Sequence, residues 1–316
     1  MWQEKRRDQI IPTNTLSAAN PHVESHVDVG IIVALKEEFR ELHRELPSPH
    51  AIKDETTGAS DYLFMRDVGE GLAYACAATF VGIAGPTEAA LATERFINRR
   101  QPKTIVMLGI AAGIDDDVKL GDVVISTQVG RYLDRAKIES GKGTFDIKPG
   151  GDSFPCSGEL VRAAQDLEFS HERQHTAWQD SASDRLRELV AGEARAKLIE
   201  KDWIAEKPNF LEGPVASGPV VAAAEEFIEW VKSLNRQYLA LEMEGGGMLA
   251  AVYSRSDPTR TMMLRGISDF GDKRKKQLDA IGNGGLRCYA TRNAVSLLWR
   301  MMEAQILPHV QKTATL

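Results

Sequence analysis

The sequence predicts an α/β fold in which a largely parallel sheet carries helices on its faces. Three observations point there. Near-continuous apolar runs rich in β-branched residues, VDVGIIVAL at 27–35 and KTIVMLGIAAGI at 103–114, suit strands buried on both faces. Segments of helical periodicity alternate with these runs. Small-residue turns join the two kinds of segment, as they do where strands lead into helices.

Length and composition set outer limits. The 316 residues accommodate one large α/β domain or two small ones, and 43% hydrophobic with 27% charged residues is ordinary for a globular chain. No apolar run approaches the roughly 20 residues that span a bilayer. Residues 1–26 hold basic residues with no apolar segment behind them, which reads as a mobile arm and not as a secretory signal. The three cysteines, Cys76, Cys156 and Cys288, are scattered, so they suggest neither a disulfide framework nor a metal site and suit a reducing cytoplasm. The histidines form no metal-ligand spacing, and the formal charge of −6 argues against general nucleic-acid binding. The expectation is a cytoplasmic protein without metal, cofactor, nucleic acid or membrane.

The elements follow in order. After the first strand, Phe39 and Leu42 recur at helical spacing, so Glu38 lies close to a strand–helix junction. An apolar stretch at 72–81 ends in Gly82-Ile83-Ala84-Gly85-Pro86, with Pro86 suited to a first helical position of a helix over 88–98. The next strand ends in Gly109-Ile110-Ala111-Ala112-Gly113, where small residues would let a ligand approach the backbone, and a strand over 122–126 follows. Residues 140–157 read as a long loop. Residues 159–206 read as an insertion of one or two helices, either packed on the domain or used in subunit contacts. Strand and turn resume at 215–221, then a helix over 225–233 and a terminal amphipathic helix over 289–305.

The candidate site lies in LALEMEGGGMLAAVYSRSDPTRTMMLRGISDFGD, residues 239–272. Glu242-Met243-Glu244 precede an apolar helix-like run, and the strand around Met262–Leu264 runs into Arg265-Gly266-Ile267-Ser268-Asp269. Charged residues at the C-terminal ends of buried strands are where open α/β folds place ligands. Each also has an ordinary structural reading: Glu244 as a helix cap, Arg265 and Asp269 as an ion pair, Glu38 as a solvated first-turn glutamate. Only the constellation favours function.

Five ordered blocks carry a family resemblance: VGIIVALKEEF, GIAGPTEAALA, TIVMLGIAAGIDDDVKLGDVVISTQVGRYLD, ALEMEGGGMLAA and LRGISDFGD. Together they resemble the nucleoside phosphorylase and nucleosidase superfamily, which includes methylthioadenosine/adenosylhomocysteine nucleosidase. The resemblance implies a single α/β domain over 27–310, with a central mixed, partly closed β-sheet flanked by helices. It also implies a homo-oligomer. By residue, it implies that Asp269 is the acid meeting N7 of a purine. Glu244 would bind the ribose hydroxyls, Met243 would lie beneath the sugar, Glu38 would orient the attacking water, and Arg265 would stand near both. Glu242, Gly109, Ile110, Ala111, Val221 and Ser268 are expected around the substrate. Breaking an N-glycosidic bond leaves negative charge on the base and oxocarbenium character on the sugar. Asp269 must therefore hold a proton while Glu244 stays ionised.

Three departures refine the expectation. Phosphorylases carry an arginine and a Ser or Thr around the glycine of the third block, where this chain has Met107 and Ile110. A phosphate there would lose charge-assisted hydrogen bonds worth about 1.5–3 kcal/mol each, so hydrolysis is favoured over phosphorolysis. Ser217-Gly218-Pro219-Val220-Val221 replaces the segment in which nucleosidases present a phenylalanine to the base. Finally, GISDFGDKRKK is closer to the phosphorylase-like domains of immune-type receptors, whose segment reads GISDYADSHK. Lys273 and Lys275 are thus candidates for meeting a 5′-phosphate, against the alternative of a solvated basic loop. The expected substrate is a purine nucleoside or nucleotide, adenine first, in a role that includes nucleotide depletion in defence; the alternatives are a phosphate-dependent purine nucleoside phosphorylase and a non-catalytic nucleotide-binding sensor.

Overall fold

The computed structural model describes residues 25–140, 145–256 and 259–309. Up to residue 24, the arm expected at the N-terminus lies outside the described residues, as does residue 310.

In chain order the elements are β1 (Val29–Val33), α1 (Lys36–His43), β2 (His50–Lys53), β3 (Ser60–Gly69), β4 (Leu72–Phe80) and α2 (Pro86–Arg100). Next come β5 (Thr104–Gly113), β6 (Val123–Arg131), β7 (Lys137–Ser140), β8 (Phe145–Lys148) and β9 (Ser153–Pro155). The helices α3 (Gly158–Gln165), α4 (Leu167–Ser170), α5 (Glu172–Leu189) and α6 (Gly192–Glu200) form the insertion. The chain then runs through β10 (Phe210–Ser217), α7 (Glu225–Leu234), β11 (Ala240–Glu242), α8 (Gly245–Tyr253), β12 (Arg260–Asp269), α9 (Lys275–Ala280) and α10 (Gly285–Glu303).

The main sheet has the order β11-β10-β6-β12-β5-β1-β4-β3-β2, with β9 on β6. Its centre is parallel: β1 lies between β4 and β5, and β12 runs parallel to β5. Antiparallel pairs β6–β12 and β3–β4 make the sheet mixed. Because β11 also pairs with β5, through Ala240 opposite Gly113 and Leu241 opposite Ala112, five strands close into a ring. The mixed, partly closed sheet expected from the resemblance is therefore present.

The apolar runs behave as their composition dictates. Every residue of β1 is buried, and so is every residue of β12 after Arg260. The β12 strand extends through Asp269, so Arg265 and Asp269 stand within the sheet and not after it. Its register against β5 shifts between Ile267 and Asp269. Such a bulge re-aims side chains, and it lets both Ser268 and Asp269 face the same cavity despite being sequence neighbours.

Two expectations are corrected, and one segment left unassigned from the sequence forms strands. The insertion holds four helices, and α5 packs within the chain: Trp178 is fully buried and its Nε1 donates to the carbonyl of Asn293 on α10 at 3.0 Å. The segment expected to be a loop at 140–157 contains the strand β8 of a small hairpin and the three-residue β9. β8 alternates apolar and polar residues, Phe145-Asp146-Ile147-Lys148, but over only four positions, and the three residues of β9 are too few to show the pattern. The hairpin formed by β2 and β3 extends the sheet edge where no strand was expected.

The site strand is held by a close backbone approach. A Cβ built on Gly266 would stand 2.0 Å from the carbonyl oxygen of Ala290, so β12 and α10 touch main chain to main chain. Gly266→Ala must push α10 outward, and overpacking of this kind costs about 1–3 kcal/mol. Thermal unfolding should show a lower Tm for this variant, and an unchanged Tm would contradict the packing described.

Candidate active site

The strand ends of β1, β5, β11 and β12 converge on a cavity of about 250 Å³. Glu38 enters it from the first turn of α1. Its Oε2 accepts the Leu35 N–H at 3.0 Å and its Oε1 accepts the Ile110 N–H at 3.1 Å. The side chain thus links the end of β1 to the end of β5. Only 3% of Glu38 is exposed, so it is not the solvated glutamate that a first turn would ordinarily carry.

Glu242 and Glu244 flank Met243 at the junction of β11 and α8. Glu242 accepts the backbone N–H groups of Glu244 and Gly245, at 3.0 and 2.8 Å to Oε2. Glu244 occupies the N-cap position of α8 but makes no side-chain cap. Its Oε1 instead accepts the Gly85 N–H at 3.1 Å, drawing in the glycine turn that follows β4.

Behind this wall lies Arg265, fully buried. Its Nη2 is ion-paired with Glu242 and stands 3.7 Å from Glu244 Oε2. Among the described residues, its Nη1 and Nε have no hydrogen-bond partner. Gly109 exists for this guanidinium: a Cβ there would lie 2.2 Å from Arg265 Nη1 and 3.2 Å from Glu38 Oε1. The space expected to admit a ligand at Gly109 is therefore filled by an arginine, and Ile110, Ala111 and Ala112 form the cavity wall.

Asp269 stands at the end of β12, 2% exposed. Its Oδ1 accepts the Gly271 N–H at 2.8 Å, while its Oδ2 accepts the Ser268 hydroxyl at 3.0 Å and Lys275 Nζ at 2.6 Å. Of the basic run, only Lys275 lines the cavity. Lys273 is corrected: it is exposed and paired with Glu225 Oε2 at 3.0 Å, outside the cavity lining. Arg274 turns away as well, bonded to Asp272 and lying over the rings of Trp203 and Phe270.

Met243, Ile110, Ala111 and Val221 complete the lining among the expected residues. Sequence reasoning missed Arg287, which reaches the cavity from the first turn of α10 and pairs with Glu37 Oε1 at 2.7 Å. It opens the terminal-helix segment behind the last motif block, and no local signal marks it as a site residue. The described lining contains no aromatic side chain, so a flat ligand would pack on aliphatic groups such as Val220, Val221 and Ala222.

Three carboxylates and one guanidinium share this buried space. Burial pushes the Glu244 carboxyl up to about 7; the charge of Glu242 and, less strongly, that of Glu38 add to the rise, against Arg265 and the Gly85 N–H. Burial also raises Glu38, opposed by Arg265 and by its two backbone N–H bonds. Burial disfavours the charge of Arg265, but Glu242, Glu244 and Glu38 outweigh it and hold the guanidinium ionised. The charges are close enough that the protonation of Glu244 depends on those of its neighbours. Chemically it offers one strong cation, oxygen acceptors for hydroxyl groups, and a separate carboxyl at Asp269.

Comparison with known proteins agrees with this architecture. The model of the phosphorylase superfamily matches residues 28–284. The ATP nucleosidase Cap17 of Escherichia coli (strain KTE188) is 28% identical over 198 residues, which cover 61% of this chain and 35% of that protein. This chain thus spans about a third of the length of that relative. A 5′-methylthioadenosine/S-adenosylhomocysteine nucleosidase of Maridesulfovibrio salexigens is 24% identical over 241 residues, 76% of this chain and 85% of the relative. The solved nucleosidase of the same name from Colwellia psychrerythraea, in complex with adenine, superposes with a TM-score of 0.62 at 21% identity, covering 92% of this chain and 98% of that one. At that identity the likeness is one of fold. With most of its length matched by the family model and its sheet closed in the way the five sequence blocks imply, the chain belongs to the phosphorylase superfamily.

Proposed function

We propose that this protein hydrolyses the N-glycosidic bond of a purine nucleoside or nucleotide, adenine being the favoured base. The observation that carries the reading is the convergence of Glu38, Met243, Glu244 and Asp269 on one cavity, with Arg265 buried behind it. Nucleosidase relatives support the same chemistry.

In this mechanism Glu244 accepts hydrogen bonds from the ribose hydroxyls, and Met243 packs against the sugar. Asp269 donates a proton to N7 as the C1′–N9 bond lengthens, which neutralises the charge developing on the base. Glu38 takes the proton of a water that adds at C1′. The unpartnered Nη1 of Arg265, next to Glu38, is a donor suited to holding that water. The anionic carboxylates stabilise oxocarbenium character on the sugar. Met107 is buried in the core, and Ile110 lines the wall where phosphorylases carry phosphate ligands; this supports water as the nucleophile. Exposed Ile83, beside Ala84 of the lining, and Val221 of the rim support self-association over this face. Light scattering should then give a mass above that of one chain, and a monomer at micromolar concentration would oppose it.

Base release followed by chromatography, with adenosine, methylthioadenosine, AMP, ATP and guanosine, tests the reaction class. Free base is expected without phosphate, and Asp269→Asn should lower the rate by about 10²–10⁴-fold while the protein remains folded. Release that requires phosphate, or a near-normal Asp269→Asn rate, would refute the assignment.

The buried cluster also dictates a pH dependence. With Glu244 needed as the anion and its carboxyl pushed up to about 7, kcat/KM should fall as pH drops through that value. Glu242→Gln removes a neighbouring negative charge and leaves Arg265 to Glu244, so the acidic limb should move to lower pH. Stability has the opposite sign. A carboxyl raised on folding contributes stability below its unfolded value near 4.5, and that contribution is lost as pH rises to about 7. An acidic limb that stays near ordinary carboxylate values in both proteins would contradict the electrostatics described.

A further inference from the structure

We propose that Lys275 supplies the proton that Asp269 passes to the leaving base, so that the acid of this site is a Lys–Asp pair and not a lone carboxyl. The inference rests on the hydrolytic reading above and deepens it.

A general acid must carry its proton when the bond breaks. Here both oxygens of Asp269 already accept from donors: Gly271 N–H at 2.8 Å on Oδ1, and Ser268 Oγ at 3.0 Å with Lys275 Nζ at 2.6 Å on Oδ2. Three donors aimed at one carboxyl suit its ionised form, which only accepts. The nearest transferable proton is then on the Lys275 ammonium. Its neighbours do not compete for the role, because Lys273 is engaged by Glu225 and Arg274 by Asp272.

Lys275 begins α9, and its side chain is 20% exposed against 3% for Asp269. It therefore joins a nearly sealed acid to water. The transfer balances without another reactant. Nζ gives one proton to Asp269, Asp269 gives one to N7, and the C1′–N9 bonding pair goes to the base. Water adds at C1′ and loses its proton by way of Glu38 to solvent, and Lys275 regains one from solvent. This use differs from contact with a 5′-phosphate, since Nζ is directed at the acid in the free site. Lys275 acts through Asp269 and is a positioning residue in that sense, with a transferable proton as its distinguishing property.

The test compares Lys275→Ala, Lys275→Met and Lys275→Arg in the base-release assay without phosphate, with folding checked by circular dichroism. Alanine and methionine variants are expected to lose kcat on the order of 10²-fold, with KM little changed. The arginine variant should remain equally slow, because a guanidinium keeps the charge but does not release its proton. Methylamine should restore part of the alanine variant's rate, whereas tetramethylammonium, a cation without a proton, should not. Full activity in Lys275→Arg, equal rescue by both cations, or an unchanged kcat in Lys275→Ala would overturn the proposal. If those results accompany an inactive Asp269→Asn, hydrolysis by Asp269 stands and the proton source alone is wrong. Absence of base release by the unsubstituted protein would overturn both.

Discussion

The site depends on one buried cation. Arg265 is fully enclosed and faces Glu242, Glu244 and Glu38, which come from three different elements. Isolated charges of either sign would be costly at such depth, and removing one partner of a buried pair typically costs about 3–5 kcal/mol. The guanidinium therefore requires the carboxylates and the carboxylates require it. Gly109 is the steric condition of the arrangement, since any side chain there would occupy the space of Nη1.

The fold supplies the geometry that makes this cluster possible. Closing five strands into a ring brings the end of β11, with Glu242, beside β5 and β12. Parallel pairing of β1, β5 and β12 places Glu38, Ile110 and Asp269 toward one end of the sheet. Backbone contact at Gly266 fixes α10 against the strand that carries both Arg265 and Asp269. Burial in the enclosed space then raises Glu244 and Glu38 together, and for Glu244 the charges of Glu242 and Glu38 add to the rise. A sugar that donates hydroxyl hydrogen bonds to Glu244 would favour its anion, so in the proposed reaction substrate binding itself prepares the charges that the transition state needs.

Much of this was legible in the sequence where local pattern and chemistry coincide. Buried runs gave β1, β5 and β12, and the acidic and basic residues at their ends lie on the cavity or directly behind it. What escaped depends on long-range geometry. The resemblance to GISDYADSHK singles out Lys275, but residue type alone does not separate it from Lys273, because the direction of each side chain is set by where α9 begins. Arg287 enters the site only because α10 crosses α1 and meets Glu37. Gly109 signalled close approach correctly but not the identity of the approaching group, which is an arginine from a neighbouring strand. The exposed β7–β8 hairpin has strands of only four residues, too short for the alternation of Phe145-Asp146-Ile147-Lys148 to stand out in a segment rich in glycine.

The most direct test of the central claim is the fate of the solvent oxygen. With a purine nucleoside or nucleotide turned over in heavy-oxygen water, mass spectrometry of the sugar product reads which nucleophile reached C1′. Hydrolysis at this carboxylate-lined cavity predicts a free sugar carrying the heavy oxygen, in amounts equal to the base released. A sugar 1-phosphate formed with added phosphate and free of label would contradict it.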